Sequence, residues 1–343
     1  MRPRIQAEGR ANGGFREHIR TVFRCRAATR GAPRPCRLAS HRFWLERRPD
    51  GLQACLQGVV LPDAALNNVD LENADMKSAK LRDAHMSGAN LRGANLQFAD
   101  LRNANLTEAN LSRAELTETR LDCALLAAAN LSEVRLQGAC LRGANLPEAY
   151  LLEAIIDKCD FSGACLREAR LLQAKAFDCN FTEADLTGAN LYHSAFRCCK
   201  FLGISAAGSN WGTATVQHCE FRRVNLACAR FDRADLRHSS FWTATLTEAS
   251  FQGARLDGAD LERADLTGVR FRRRHHHERE LKGGEFTGRE RDDADPTRPS
   301  AHGPRYDTAG RLARALSPAV RGAPAVPPQM TVGNLRSASQ APR

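Results

Sequence analysis

The chain has 343 residues, 43% of them hydrophobic, so it is long enough to bury a large core. No stretch approaches the roughly 18 apolar residues that a membrane-spanning helix needs, and the twelve cysteines follow no disulfide-framework spacing. The net charge of +11 sits in the flanks: residues 51–271 carry 23 Lys/Arg against 27 Asp/Glu, residues 1–50 carry 13 against 4, and residues 272–343 carry 14 against 8.

Residues 1–40 are rich in Arg, Gly and Ala, include Pro33 and Pro35, and show no sustained periodicity. Such a composition buries too little apolar surface to offset chain entropy, so a disordered basic leader is expected. Positive charge is present here, but no apolar segment succeeds it, which argues against a secretory signal peptide. Free cysteines suit a reducing compartment, so the cytoplasm is the expected location, with delivery by a specialised secretion system as the alternative. Residues 41–51 place Phe43, Trp44 and Leu45 before Pro49, Asp50 and Gly51, and read as an N-terminal cap on the segment that begins at residue 52.

From residue 52 to residue 271 every fifth residue is large and apolar. The series begins at Leu56 and runs through Leu91 and Leu96 to Phe271 without a frame break, 44 positions in which only Ala176 and Ala206 are small. Two residues before each centre sits a small residue, Ala at 30 of the 44 places. Neither a helix nor an ordinary strand supports a period of five. The period itself must define the fold.

Units such as Ala89-Asn90-Leu91-Arg92-Gly93, Ala94-Asn95-Leu96-Gln97-Phe98 and Ala184-Asp185-Leu186-Thr187-Gly188 closely resemble the pentapeptide repeat family. The resemblance covers about two-thirds of the chain. It implies an all-β fold, a right-handed quadrilateral β-helix of about eleven coils with four pentapeptides to each 20-residue coil. In that arrangement the large centre and the small residue before it point inward, and the other three positions point out. Glycine recurs two after the centre, as at Gly93 and Gly258, where a corner can demand positive φ.

A 20-residue period also defines columns. Phe161, Phe181, Phe201, Phe221 and Phe241 are expected to line one inner face, and Trp211, Phe231, Phe251 and Phe271 the opposite one. The first half of the rod is therefore Leu-cored and the second aromatic-cored, with Trp211 placed to make up volume missing at Ala206. Residues 272–291, with Arg272 to Arg274 and His275 to His277, read as a C-terminal cap or frayed coil, and residues 292–343 as a disordered tail.

Few residues suggest chemistry. Cys159, Cys179, Cys199 and Cys219 form an inward column that reads as core packing. An outward column of Asp178, Cys198, His218 and His238 contains metal-ligand types, but four ligands in a line cannot surround an ion, so Cys198, His218 and His238 are weak candidates and no metal or other cofactor is expected. No catalytic constellation, phosphate-cradling loop or zinc-finger spacing is present, and a filled core leaves no cleft, so an enzyme is not expected.

The informative anomaly is apolar residues at outward positions. Leu152, Leu172 and Tyr192 come one after their centres in three consecutive coils, flanked by Tyr150, with Ile155 and Phe177 on the adjoining face. Two readings stay open: a partner-binding surface, or local irregularity in which these side chains tuck over a corner and Ala176–Phe177 slips out of frame. The leading functional expectation is a rigid scaffold for another protein. The resemblance implies two alternatives, a bacterial secreted effector and a DNA-mimicking binder of topoisomerases such as gyrase, the latter disfavoured by weak net charge. Nucleic acid ranks low as a partner because the basic flanks lack interleaved aromatics. A homodimer is left open.

Overall fold

The computed structural model describes residues 41–42, 45–47 and 52–271. The leader, Phe43 and Trp44, the triple histidine and the tail lie outside the described residues.

Over 52–271 the chain winds into stacked coils in which each residue preceding a centre forms a parallel bridge with the residue twenty later, as in Asp70↔Asn90 and Asn90↔Asn110. The bonds obey one rule. Leu71 donates its N–H to the Asn90 carbonyl (2.7 Å), Asn73 to Arg92 (2.7 Å), and Asn90 donates back to Val69 (2.9 Å). Each coil thereby satisfies the backbone of the one beneath it. The 44 centres make eleven coils, about 50 Å of rod at the spacing of neighbouring strands, about 4.8 Å. We name its four faces after their first centres: Leu56, Leu61, Leu66 and Leu71.

The corners differ from expectation in one respect. All 43 residues two after a centre, from Gly58 to Gly268, have φ between 53° and 71°, and 31 of them are not glycine. A left-handed conformation costs an ordinary residue about 1 kcal/mol. Glycine lowers that cost but does not define the corner, because stacking on both sides fixes the turn. At most corners the residue after this one closes the turn, as Ala74 N–H does on the Leu71 carbonyl (3.0 Å).

The core matches the pattern of inward positions. Every centre from Leu56 to Leu266 is buried, and Phe271 is partly so. Phe161, Phe181, Phe201, Phe221 and Phe241 stack with centroids 4.6–5.0 Å apart and planes within 12°. Trp211, Phe231, Phe251 and Phe271 stack opposite at 5.0–5.8 Å. The two columns meet edge to face, Trp211 on Phe201 at 5.6 Å and 90°, the geometry aromatic quadrupoles favour. Ala176 keeps its frame at 4% exposure, so Phe177 does not slip inward. Phe196, one coil above Ala176, closes on Phe181 at 5.9 Å.

Only one face forms true strands. On the Leu56 face β1 (Arg135–Gln137), β2 (Ile155–Asp157), β3 (Lys175–Phe177), β4 (Ala195–Arg197) and β5 (Thr215–Gln217) make a parallel sheet in that order. In these five coils the turn bond to the centre's carbonyl is absent. The cysteine column supplies a replacement. Cys159 donates to the Leu136 carbonyl, Cys179 to Ile156 (3.3 Å), Cys199 to Ala176 (3.7 Å), Cys219 to Phe196 (3.6 Å), and the Ser239 hydroxyl to Val216 (2.9 Å). The adjacent Cys179 sulfur and then burial push the Cys159 thiol up, and the Cys179 and Cys219 sulfurs and then burial push the Cys199 thiol up. These cysteines are core packing, as the sequence suggests, and also acceptor-satisfying groups, which it does not. Cys199→Ala is expected to cost about 1 kcal/mol in chemical denaturation, whereas Cys199→Ser, which keeps a donor, should be close to neutral.

At the first coil, His41 is buried and its Nδ1 accepts the Ala54 N–H (3.0 Å). Burial holds its pKa below the ordinary 6.5, against opposing pulls from the carboxylates of Asp70 and Glu72 and the Glu72 backbone. The folded chain therefore binds fewer protons here than the unfolded one. His41 contributes its full stability above 6.5, and the contribution falls as pH drops from there toward the depressed folded value. His41→Gln, which retains an acceptor but does not titrate, is expected to flatten the melting temperature against pH over that window.

Candidate functional site

The outward apolar residues lie along the corner where the Leu71 face turns into the Leu56 face and across the Leu56 face itself, at whose far end Phe177 stands, one residue before the next corner at Asp178. Tyr150, Leu152, Ile155, Phe177 and Tyr192 are exposed, Ile155 at 44% and Phe177 at 49%. Leu172 is only half-buried. Tyr192 lies over Gly212 of the next coil, where an added Cβ would stand 3.1 Å from the tyrosine ring, and its edge meets His193 at 4.4 Å. One end of the strip is therefore tucked against a corner, while the Leu152, Ile155 and Phe177 side chains project. The other large apolar side chains exposed among the described residues, Leu52, Val60, Phe98 and Leu125, stand singly on other coils, which is ordinary for a protein surface.

The strip coincides with a break in a polar ladder. Before the centres of the Leu71 face the column reads Asp70, Asn90, Asn110, Asn130, then Tyr150, Arg170, then Asn190, Asn210, and ends in Arg230, Ser250 and Arg270. The amide side chains bond along the rod, Asn90 to Asp70 (2.9 Å) and Asn210 to Asn190 (3.3 Å). Each also accepts the N–H two residues on, as Asn130 does from Ser132 (3.0 Å) and Asn190 from Tyr192 (3.2 Å). At Tyr150 and Arg170 both bonds are lost. The Arg170 guanidinium instead lies over the Tyr150 ring, 4.8 Å from its centroid.

The column of weak metal candidates is not assembled as a site. His218 and His238 stack face to face, centroids 5.0 Å apart and planes 10° apart. Gly258 is next in the column because a Cβ there would stand 2.6 Å from His238 Nδ1. Among the described residues no three His, Cys, Asp or Glu side chains are grouped to hold a metal ion.

Resolving charge by face sharpens the electrostatics. Counting outward positions, the Leu56 face carries seven basic and seven acidic residues, the Leu61 face nine and nine, and the Leu71 face six and five. The Leu66 face carries six acidic residues and one Arg, Arg167. All of the coils' net negative charge is on that face, the one opposite the sheet.

Comparison with known families agrees with this architecture. A model described as pentapeptide repeats (8 copies) matches residues 54–93, 73–108, 84–122, 109–146 and 244–273, and one described as a pentapeptide repeat region matches 154–231. The chain belongs to the pentapeptide repeat family. No curated protein matches it. Among solved structures it is similar to HetL of Nostoc sp. strain PCC 7120, a pentapeptide repeat protein involved in heterocyst differentiation regulation, at 26% identity over 66% of this chain and 93% of that one, TM-score 0.46. It is also similar to full-length QnrB1, a plasmid-mediated fluoroquinolone resistance protein (17% identity, 64% and 93% covered, TM-score 0.25), and to a pentapeptide repeat protein of the Arabidopsis thaliana thylakoid lumen (31%, 33% and 71%, TM-score 0.15).

Within this repeat the corner holds two residues that a search for outward apolar side chains overlooks, Arg170 and Lys175. Arg170 stands between Tyr150 and Asn190 in the bridge column, and Lys175 between Ile155 and Ala195. Their signal in the sequence is the departure of Tyr150 and Arg170 from the Asn column.

Proposed function

We propose that this chain is a non-enzymatic, rigid protein-binding scaffold whose interface is the Tyr150–Tyr192 corner. One observation carries the reading: exposed apolar side chains run through successive coils at the place where the Asn ladder is interrupted, between Asn130 and Asn190. Contiguous exposed apolar surface on a folded protein marks an interaction site more often than scattered single residues do. The solenoid behind it presents a long, stiff, loop-free surface, the usual working part of repeat proteins. Residues 41–51 then act as the cap of the first coil, with His41 over Ala54. Ten free cysteines among the described residues favour a reducing compartment, with the cytoplasm as its setting. A role as a delivered effector would place the same interface in another cell.

DNA mimicry fares worse on this charge distribution. Duplex DNA carries a phosphate about every 1.7 Å, roughly 30 over the length of this rod. The most acidic face offers six carboxylates. Arg167 approaches one of them, Asp185, at 3.9 Å.

The test uses the full chain. Leu172→Glu and, three coils below in the same column, Ser112→Glu are compared with wild type for retained partner or self-association. Loss at Leu172 alone, with an unchanged melting curve, supports the interface. Equal retention by all three proteins, or loss only through unfolding, counts against it.

A further inference from the structure

We propose that the Tyr150–Tyr192 corner takes an acidic, apolar peptide segment of its protein partner, its carboxylates meeting Arg170, Lys175 and the N–H groups of Leu152 and Leu172. This rests on the corner being an interface, and adds the chemistry of what it binds.

The interrupted ladder supplies the first observation. In six coils of the Leu71 face an Asp or Asn oxygen accepts the N–H that comes after the centre: Glu72, Arg92, Ser112, Ser132, Tyr192 and Gly212 are the donors. Leu152 and Leu172 hold the same position in the coils of Tyr150 and Arg170, and neither N–H has an acceptor from the described residues. Two backbone donors therefore face outward one coil apart, about 4.8 Å, each beside an exposed or half-exposed leucine.

Charge supplies the second. Arg170 and Lys175 form no ion pair among the described residues. Some arginines lower on these two faces are engaged, Arg113 with Glu133 at 2.9 Å and Arg135 with Glu115 at 3.4 Å, whereas Lys158 and Arg197 beside the corner, like Arg170 and Lys175, form no ion pair among the described residues and add to its positive charge. The carboxylates of the same stretch, Glu153, Asp157 and Asp178, pair with neither cation. Arg170 lies over the Tyr150 ring, its Cζ 4.8 Å from the centroid, a contact that restrains the guanidinium while leaving its N–H groups able to meet a ligand. Lys175 rises from β3 between Ile155 below and Ala195 above.

Donors and cations without acceptors, interleaved with Tyr150, Leu152, Ile155 and Phe177, complement one kind of segment. Its carboxylates would satisfy the N–H groups and the two cations through charge-assisted bonds, and its apolar side chains would cover the exposed rings and leucines. A basic segment would leave the donors unmet and face Arg170 and Lys175 with like charge.

Fluorescence anisotropy on the full-length protein tests this with short labelled peptides. One alternates Glu with Phe and Leu, a second has Lys for Glu, a third has Ser for Phe and Leu, and a thymidine oligonucleotide is the fourth probe. The Glu/Phe/Leu peptide is expected to bind at least about tenfold tighter than any other probe, and to weaken about tenfold in Arg170→Gln. Arg233→Gln, at a distant corner of the same face, should bind as wild type, and matching melting curves establish that the variants are folded. Equal binding of the Lys peptide, preference for the oligonucleotide, no binding of any peptide, or indifference to Arg170→Gln would each overturn the inference. A partner that is lost with Leu172→Glu while acidic peptides show no preference overturns this inference alone and leaves the interface standing.

Discussion

Removal of Gly93 alone is expected to destabilise the solenoid more than removal of the whole coil 84–103. Deleting twenty residues joins Asp83 to Ala104, so every later residue keeps its inward or outward sense and its column. Nearest-neighbour stacking is then rebuilt one coil shorter, and the melting temperature should fall by only a few degrees. Deleting one residue leaves two outcomes, both costly. If the frame shifts, the downstream centres become outward residues and polar side chains enter the core, a cost beyond the roughly 5–15 kcal/mol that holds a domain together. If the defect stays local, one side must be spanned by four residues. That side loses its corner, the Gly93 N–H bond to Ser112 (2.8 Å) and the Ala94 N–H bond to Leu91 (3.0 Å). Thermal melts of the two deletions side by side would decide. A single-residue deletion that melts like wild type would show that the five-residue frame is not what specifies the fold.

Trp211→Ala should be the most damaging of the core truncations, at about 3–5 kcal/mol. The indole touches four rings, Phe196 and Phe201 at 5.6 Å, Phe221 at 5.7 Å and Phe231 at 5.8 Å. Ala206, the centre that precedes it in the chain, is too small to move into the space. A buried indole also needs an acceptor, and Ser209 provides one: Trp211 Nε1–H donates to its Oγ (2.8 Å), and that hydroxyl donates to the Ala206 carbonyl (2.6 Å). Trp211→Phe removes the need for the acceptor and keeps the stack, so a loss of about 1.5 kcal/mol or less is expected. Hydrogen exchange across residues 191–236 measures both. If Trp211→Ala costs no more than Trp211→Phe, the aromatic columns are not the anchor of this half.

Fold and columns are legible in the sequence because the repeat is strict. A centre every five residues sets inward and outward, and a period of twenty sets neighbours, so the Phe161–Phe241 and Trp211–Phe271 stacks emerge by arithmetic. Where the backbone departs from its commonest turn is not legible. Nothing about Gln137 or Phe177 announces a strand, and the signal lies twenty or so residues away in the thiols of Cys159 to Cys219, whose donor role depends on a carbonyl that only the fold brings near. Likewise His41 precedes the repeat, so no periodicity points to it. At the candidate site the apolar half is visible and the polar half is not. Leu152 and Tyr192 stand out from a polar position, whereas Arg170 and Lys175 look like ordinary surface residues until the Asn ladder and the ion pairs around them are drawn.

If the Tyr150–Tyr192 corner, and not the rod in general, engages a partner, photo-cross-linking from single positions will show it. Benzoylphenylalanine placed at Leu172 or Phe177 of the full-length protein is compared with the same probe at Ser112 or Thr117, the matching positions three coils earlier, where column and face are unchanged and only the local surface differs. One discrete cross-linked species is expected from Leu172 and Phe177, and none from Ser112 and Thr117. Equal cross-linking at all four positions, or cross-linking from the lower pair alone, would mean that the corner is not the interface.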